Sequence, residues 1–166
     1  VTETGLPLIY LNQVGGQDEL VFDGRSMVVN DKGRIIARAK AFEEDLLIAD
    51  INLDATRKKA DKNILTIGKD FTKKSSVLKN RIAPALENSE EVYRALLLGL
   101  KDYVAKNDFK KAVIGLSGGV DSALVASLAA DALGKDNVIG VFMPSRYSSQ
   151  ESADDAKSLA LNLGIR

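Results

Sequence analysis

The sequence of 166 residues carries 23 basic and 23 acidic side chains, 45% hydrophobic residues, no cysteine and no histidine. That hydrophobic share suffices for a folded core, and a net charge of zero argues against a chain built to coat nucleic acid or an anionic membrane. Without thiols or imidazoles, this sequence excludes disulfides, thiolate or histidine metal sites, and cysteine or histidine catalysis. Carboxylates, hydroxyls, amines and backbone amides remain. No run approaches the ~20 apolar residues of a membrane span. Val1-Thr2-Glu3-Thr4 lacks the basic-then-apolar pattern of a secretory signal, so a cytoplasmic location is expected.

Charge divides the chain into three zones. Residues 1–54 hold 5 basic and 10 acidic side chains, a net of −5; residues 55–82 hold 9 and 2, a net of +7; residues 83–166 hold 9 and 11, a net of −2. A short basic stretch between two mildly acidic ones reads as a connector between folded units. The first zone is β-rich. Leu6 to Leu11 and Leu20-Val21-Phe22 are apolar runs separated by Gly15-Gly16. Ser26 to Val29 and Arg34 to Ala37 flank Asn30-Asp31-Lys32-Gly33, a hairpin turn, and Leu46 to Ile51 follows as a further strand. The connector offers only a weak apolar patch at Ile64-Leu65-Thr66-Ile67, and Phe71 is its one aromatic residue, so it reads as a solvated tether rather than a nucleic-acid surface.

The third zone alternates helix and strand. Ser89 is placed to cap a helix whose first turn bears Glu90 and Glu91, with Val92, Leu96, Leu100 and Tyr103 on one apolar face. Lys111 to Leu116 is a buried strand, Val120 to Leu133 a helix stopped at Gly134, and Asn137 to Met143 a second strand ended by Pro144. A last helix begins at Ser149 or Ser152, carries Ala153, Ala156, Leu159, Ala160 and Leu163 on one face, and closes at Gly164. This order implies a parallel sheet covered by helices. Another strand is expected to begin at Ile165-Arg166, so the sequence reads as a piece of a longer polypeptide.

The informative stretch is Gly115-Leu116-Ser117-Gly118-Gly119-Val120-Asp121-Ser122, between a buried strand and a helix start. Unpaired amides converge there and the helix dipole favours an anion. Gly118 and Gly119 let the backbone bend through positive φ and approach an oxygen-rich ligand, Ser117 and Ser122 add hydroxyls, and Asp121 suits a Mg²⁺ that neutralises phosphate. Neither G-x-x-x-x-G-K-[ST] nor G-x-G-x-x-G fits. The plain alternative is a tight turn with Ser117 as cap and Asp121 complementing the dipole.

Ser117-Gly118-Gly119-Val120-Asp121-Ser122 resembles the S-G-G-x-D-S loop of the N-type ATP pyrophosphatases, shared by synthetases for NAD, GMP, asparagine and argininosuccinate and by tRNA-thiolating enzymes. Two further stretches narrow the resemblance to the glutamine-dependent NAD synthetases. Val138 to Ser149, continuing through Ser152 to Asp154-Asp155-Ala156, is similar to the second strand and loop of their synthetase domain. Asn12 to Ser26 is similar to the closing part of their nitrilase-like glutaminase domain.

The resemblance implies an α/β protein in which residues 1–54 are the β-rich end of a nitrilase-like α/β sandwich, 55–88 a linker, and 89–166 the start of a doubly wound, adenine nucleotide α-hydrolase-like parallel sheet. It implies ATP-dependent amidation of deamido-NAD to NAD with glutamine-derived ammonia, through an adenylated intermediate. Ser117, Gly118, Gly119, Val120, Asp121 and Ser122 would hold the ATP phosphates, Asp121 would also ligate Mg²⁺, and Arg146 would add a phosphate or nucleotide contact. Small-molecule substrates and homo-oligomerisation of the full-length chain are expected, with no nucleic-acid or membrane partner. The family glutaminase uses Glu, Lys and Cys, and this chain holds no cysteine. It is therefore expected to be inactive alone, with no catalytic residue assigned. A GMP synthetase, a tRNA-thiolating enzyme and a non-catalytic fragment are the alternatives.

Overall fold

The computed structural model describes residues 1–51 and 78–166; most of the basic connector, including the 64–67 patch and Phe71, lies outside the described residues. Two compact units interleave along the chain. One comprises Val1–Leu11, Arg25–Lys40 and Asp45–Ala83, the other Asn12–Gly24, Ala41–Glu44 and Pro84–Arg166.

The first unit contains a three-stranded antiparallel sheet of β1 (Leu8–Tyr10), β4 (Met27–Val29) and β5 (Ile35–Arg38), in the order β1-β4-β5. The expected hairpin turn joins β4 to β5. Asn30 Oδ1 accepts from the amides of Lys32 and Arg34, and Gly33 takes a φ of +75°. Val28 and Ala37, opposite one another across β4 and β5, are buried. The chain at 81–83 runs beside β5: Arg38 donates its amide to the Arg81 carbonyl, and its guanidinium grips the Ala83 carbonyl at 2.7 and 3.0 Å.

The strand expected over 46–51 does not form. At Asp50 both backbone groups are taken by a side chain instead. Asp50 N–H donates to Asn80 Oδ1, Asn80 Nδ2 donates to the Asp50 carbonyl, and Asp50 Oδ2 accepts from Leu78 N–H. A strand needs a neighbour's ladder, and here the backbone of Asp50 pairs with the Asn80 side chain in place of a strand.

In the second unit, β2 (Val14–Gln17) and β3 (Leu20–Asp23) form a tight hairpin around Asp18-Glu19, with Gln17 opposite Leu20. Gly15-Gly16 therefore lies inside a strand and does not separate two. The hairpin packs on α1 (Asn88–Lys106). That helix begins one residue before Ser89, after Glu87, and has no side-chain cap, so Ser89 sits within the first turn. Its expected apolar face is also rotated. Val92, Leu96 and Tyr103 are exposed, while Leu100 packs against the core, because the hairpin and α2 cover the neighbouring face.

The remainder follows the expected alternation: β6 (Ala112–Leu116), α2 (Val120–Leu133), a single 3-10 turn at Lys135–Asn137, β7 (Val138–Phe142) and α3 (Gln150–Leu163). β6 and β7 pair in parallel from Ala112 opposite Val138 to Leu116 opposite Phe142. The core gathers Leu116, Ala126, Ala129, Val138, Ala156 and Ile165 between strands and helices. Small alanines on α2 and α3 let both helices lie close to the sheet. Arg166 exchanges backbone hydrogen bonds with Val138 and Gly140, the parallel pairing expected of a strand beside β7. Gly164 closes α3 in the left-handed conformation.

Candidate functional site

The carboxyl ends of β6 and β7 open into the two stretches singled out by sequence, 117–119 and 143–149. In open parallel sheets this edge is where ligands bind, since the helix N-termini that follow the strands point their amides toward it. Helix α2 is capped by Gly119, which has an extended backbone and no side-chain cap. The first helical bond runs from Ala123 N–H to the Gly119 carbonyl. The amides of Val120, Asp121 and Ser122 thus precede the intrahelical ladder and point out of the helix start.

The loop braces itself from within. Ser117 N–H donates to Ser122 Oγ (3.2 Å), Ser122 Oγ donates to the Gly119 carbonyl (3.0 Å), and Gly119 N–H donates to Ser117 Oγ (3.2 Å). The two hydroxyl oxygens lie 3.1 Å apart. With its proton on Gly119, Ser122 leaves Ser117 as donor of that contact. Both serines therefore set the loop's shape, and the outward amides are those of the helix start. Gly118 bends through φ +80°, and a Cβ there would lie 2.6 Å from the Ser152 carbonyl oxygen and 2.7 Å from its Cα. Only one of the two glycines uses positive φ: Gly119 sits at φ −91°.

A cleft of about 300 Å³ adjoins the loop, lined by Gly118, Gly119, Val120 and Ala123 on one side and Asp155, Ser158, Leu159 and Asn162 of α3 on the other. Sequence reasoning missed the α3 wall. Asp155, Ser158 and Asn162 follow i, i+3, i+7 spacing, a polar stripe beside the apolar one already assigned, and that periodicity was the available signal.

Arg146 lies outside this cleft, in the turn after β7. Its guanidinium carbon sits 4.9 Å from the Tyr147 ring centroid. Ser145 and Ser148 close that turn, with Ser145 N–H donating to Ser148 Oγ at 2.9 Å, while Ser149 caps α3 by accepting from Ser152 N–H at 3.1 Å. Among the described residues no group of three or more histidine, cysteine, aspartate or glutamate side chains could hold a metal. A Mg²⁺ at Asp121 would take one carboxylate from this chain and its other ligands from phosphate and water. That is an ordinary coordination for this ion, so the donor set fits. No helix among the described residues is long and apolar enough to cross a membrane.

Parallel strands, the glycine turn after β6 and the helices that follow define an α/β protein with its candidate site at the carboxyl edge of the sheet. Residues 92–166 match the NAD synthase family model and residues 2–61 the carbon-nitrogen hydrolase model. A glutamine-dependent NAD(+) synthetase of Aquifex aeolicus is 51% identical over 94% of this chain, and one of Rhodobacter capsulatus is 49% identical over all of it. The solved structure of the glutamine-dependent NAD+ synthetase of Acinetobacter baumannii, in complex with ADP, superimposes with a TM-score of 0.78 at 38% identity, covering 99% of this chain and 28% of that one. The chain belongs to the glutamine-dependent NAD(+) synthetase family. It spans 30% of the length of the Aquifex relative and 27% of the Rhodobacter one.

Proposed function

We propose that the longer protein containing this chain converts deamido-NAD to NAD, using ATP and glutamine-derived ammonia and releasing AMP and pyrophosphate. The observation that carries the reading is the loop 117–122 at the head of α2, in a chain that also bears a carbon-nitrogen hydrolase segment. GMP synthetases and tRNA-thiolating enzymes resemble the loop alone, and the segment at 2–61 speaks against both. The ADP held by the Acinetobacter relative supports adenine-nucleotide binding.

A free carboxylate is a poor electrophile, and transfer of AMP to it creates a leaving group that ammonia displaces. The amides of Val120, Asp121 and Ser122, aligned with the α2 dipole, receive the pyrophosphate as its charge develops. Ser117 and Ser122 keep those amides in place, and Gly118 holds the loop against Ser152. Asp121 would hold Mg²⁺, which when bound would supply neutralisation of phosphate charge. Arg146, at the same sheet edge, adds a nucleotide contact.

By function the chain divides into the glutaminase end over 1–54, a linker over 55–88 and the synthetase start over 89–166, although residues 12–24 and 41–44 of the first fold in the compact unit of the last. The protein is cytoplasmic, acts on small molecules and self-associates. The test is mass-spectrometric analysis of the longer protein with deamido-NAD, ATP, Mg²⁺ and glutamine. AMP and NAD are expected as products, and ADP in place of AMP overturns the mechanism.

A further inference from the structure

The hairpin β2–β3 lies by sequence in the carbon-nitrogen hydrolase segment, yet it folds within the unit built mainly by the NAD synthase segment. Its contact with α1 is unusually specific. A Cβ on Gly16 would lie 3.0 Å from Gly99 Cα, and one on Gly99 would lie 3.2 Å from Val21 Cγ2, so strand and helix approach as only glycines allow. Both backbone groups of Gly16 are then captured by charged side chains one helical turn apart. Its N–H donates to Asp102 Oδ2 at 2.7 Å, and its carbonyl accepts from Lys106 Nζ.

Apolar packing alone would fix the distance between hairpin and helix. This arrangement also fixes register, because a slip of one residue would bring the Gln17 side chain against Gly99. A mid-helix glycine weakens α1, so its presence needs a reason, and the close approach supplies one.

We infer that Gly16, Gly99, Asp102 and Lys106 form a clasp that couples glutamine hydrolysis to amide formation, with Asp102 and Lys106 as positioning residues. The inference rests on the function proposed above. Its test compares two nitrogen donors in the longer protein, glutamine and ammonium, with glutamate release followed alongside. In Asp102→Ala and Lys106→Met, NAD formation from glutamine is expected to fall about fivefold or more, a typical coupling between sites, while the ammonium-driven rate and glutamate release stay within about twofold. Lys106→Arg restores the glutamine-driven rate. Hydrogen exchange at the Gly16 amide rises in Asp102→Ala.

Equal losses with both donors, or none with either, overturn the clasp as a coupling element. Should Asp102→Ala fail to fold, the exposed Lys106 carries the comparison by itself. A wild-type protein that forms no NAD even from ammonium overturns the function itself, a result distinct from an intact enzyme whose coupling ignores the clasp.

Discussion

At Gly118 the backbone takes φ +80° and a Cβ would strike Ser152, whereas at Gly119 φ is −91° and the nearest obstacle is Ser117 Oγ at 3.3 Å. The two neighbours should therefore respond differently to the same methyl group. Gly118→Ala is expected to lower unfolding free energy by ~1–3 kcal/mol, through strain and overpacking against α3. Gly119→Ala replaces one helix cap by a poorer one and should cost less than about 1 kcal/mol. Urea titrations of both variants provide the comparison, and equal midpoints would show that the loop does not press on Ser152. Bulk at Gly119 should act on binding instead. Gly119→Val, over the mouth of the amide cluster, is expected to abolish pyrophosphate affinity in calorimetry while a distant surface change leaves it intact. Asp121 offers a third separable effect. Asp121→Asn preserves size and removes charge at the first turn, so Mg²⁺–ATP affinity should fall about tenfold while the melting temperature moves little, as expected for an exposed carboxylate lost from a metal shell. Unchanged nucleotide affinity would take Asp121 out of the metal role.

At the scale of elements, α1 shows both what sequence pattern conveys and where it fails. Its presence and acidic first turn were legible because Glu90, Glu91 and the apolar repeat are local signals. The face it buries was not, since the choice between Leu96 and Leu100 is made by a hairpin about eighty residues earlier and by α2. The same distance hid the meaning of Gly15-Gly16: a glycine pair ordinarily marks a turn, and only the docked helix reveals it as a close approach. The stretch 46–51 departs for a related reason, because nothing local announces that Asn80 will occupy the Asp50 backbone. By contrast, β6, α2, β7 and α3 carry their instructions in sequence, with apolar strands, alanine-rich helix faces and terminal glycines, although β6 buries only Leu116 and leaves Val113 exposed, and the candidate loop was legible because it falls between them.

The contact between α1 and α2 also supports a pH prediction. Tyr93 donates its hydroxyl to Asp131 Oδ2 at 2.5 Å, and this bond, then desolvation, holds the phenol above its ordinary value of 10.0. The folded state thus keeps the proton more tightly than the unfolded one. The resulting stability is complete below pH 10 and disappears as pH rises through the folded-state value. Thermal melts from pH 8 to 11 should show a wild-type advantage over Tyr93→Phe that shrinks at the alkaline end; a constant difference would disprove the coupling. The opposite sign holds in the other unit. The Lys40 amide, then the Arg81 guanidinium at 2.7 Å, hold the Asp45 carboxyl below 3.8, so its contribution is present above that pH and lost as the solution is acidified through the lowered value. Asp45→Asn should therefore differ from wild type near neutrality and converge with it in acid.

For the whole molecule, binding and turnover part company. The elements that would receive pyrophosphate are local to β6, α2 and the first turn of α3, and each is folded within one compact unit. Turnover makes a wider demand. The glutaminase that this family resembles relies on a cysteine nucleophile, no cysteine occurs anywhere among the 166 residues, and hydroxyls or carboxylates here have no histidine to activate them. Adenylation further needs a pocket for deamido-NAD, and the chain spans less than a third of the relatives that perform the reaction. The 166-residue chain alone should therefore bind pyrophosphate in calorimetry, and lose that binding in Gly119→Val, yet release no glutamate from glutamine and form no NAD from deamido-NAD, ATP and ammonium. The longer protein should do both. Glutamate released by the short chain would mean that a carboxylate or hydroxyl in residues 1–54 acts on glutamine without a thiol. NAD formed by it would mean that the unit around α2 holds a complete substrate pocket. The first result would move chemistry into β1–β5, and the second into the elements proposed to hold phosphate.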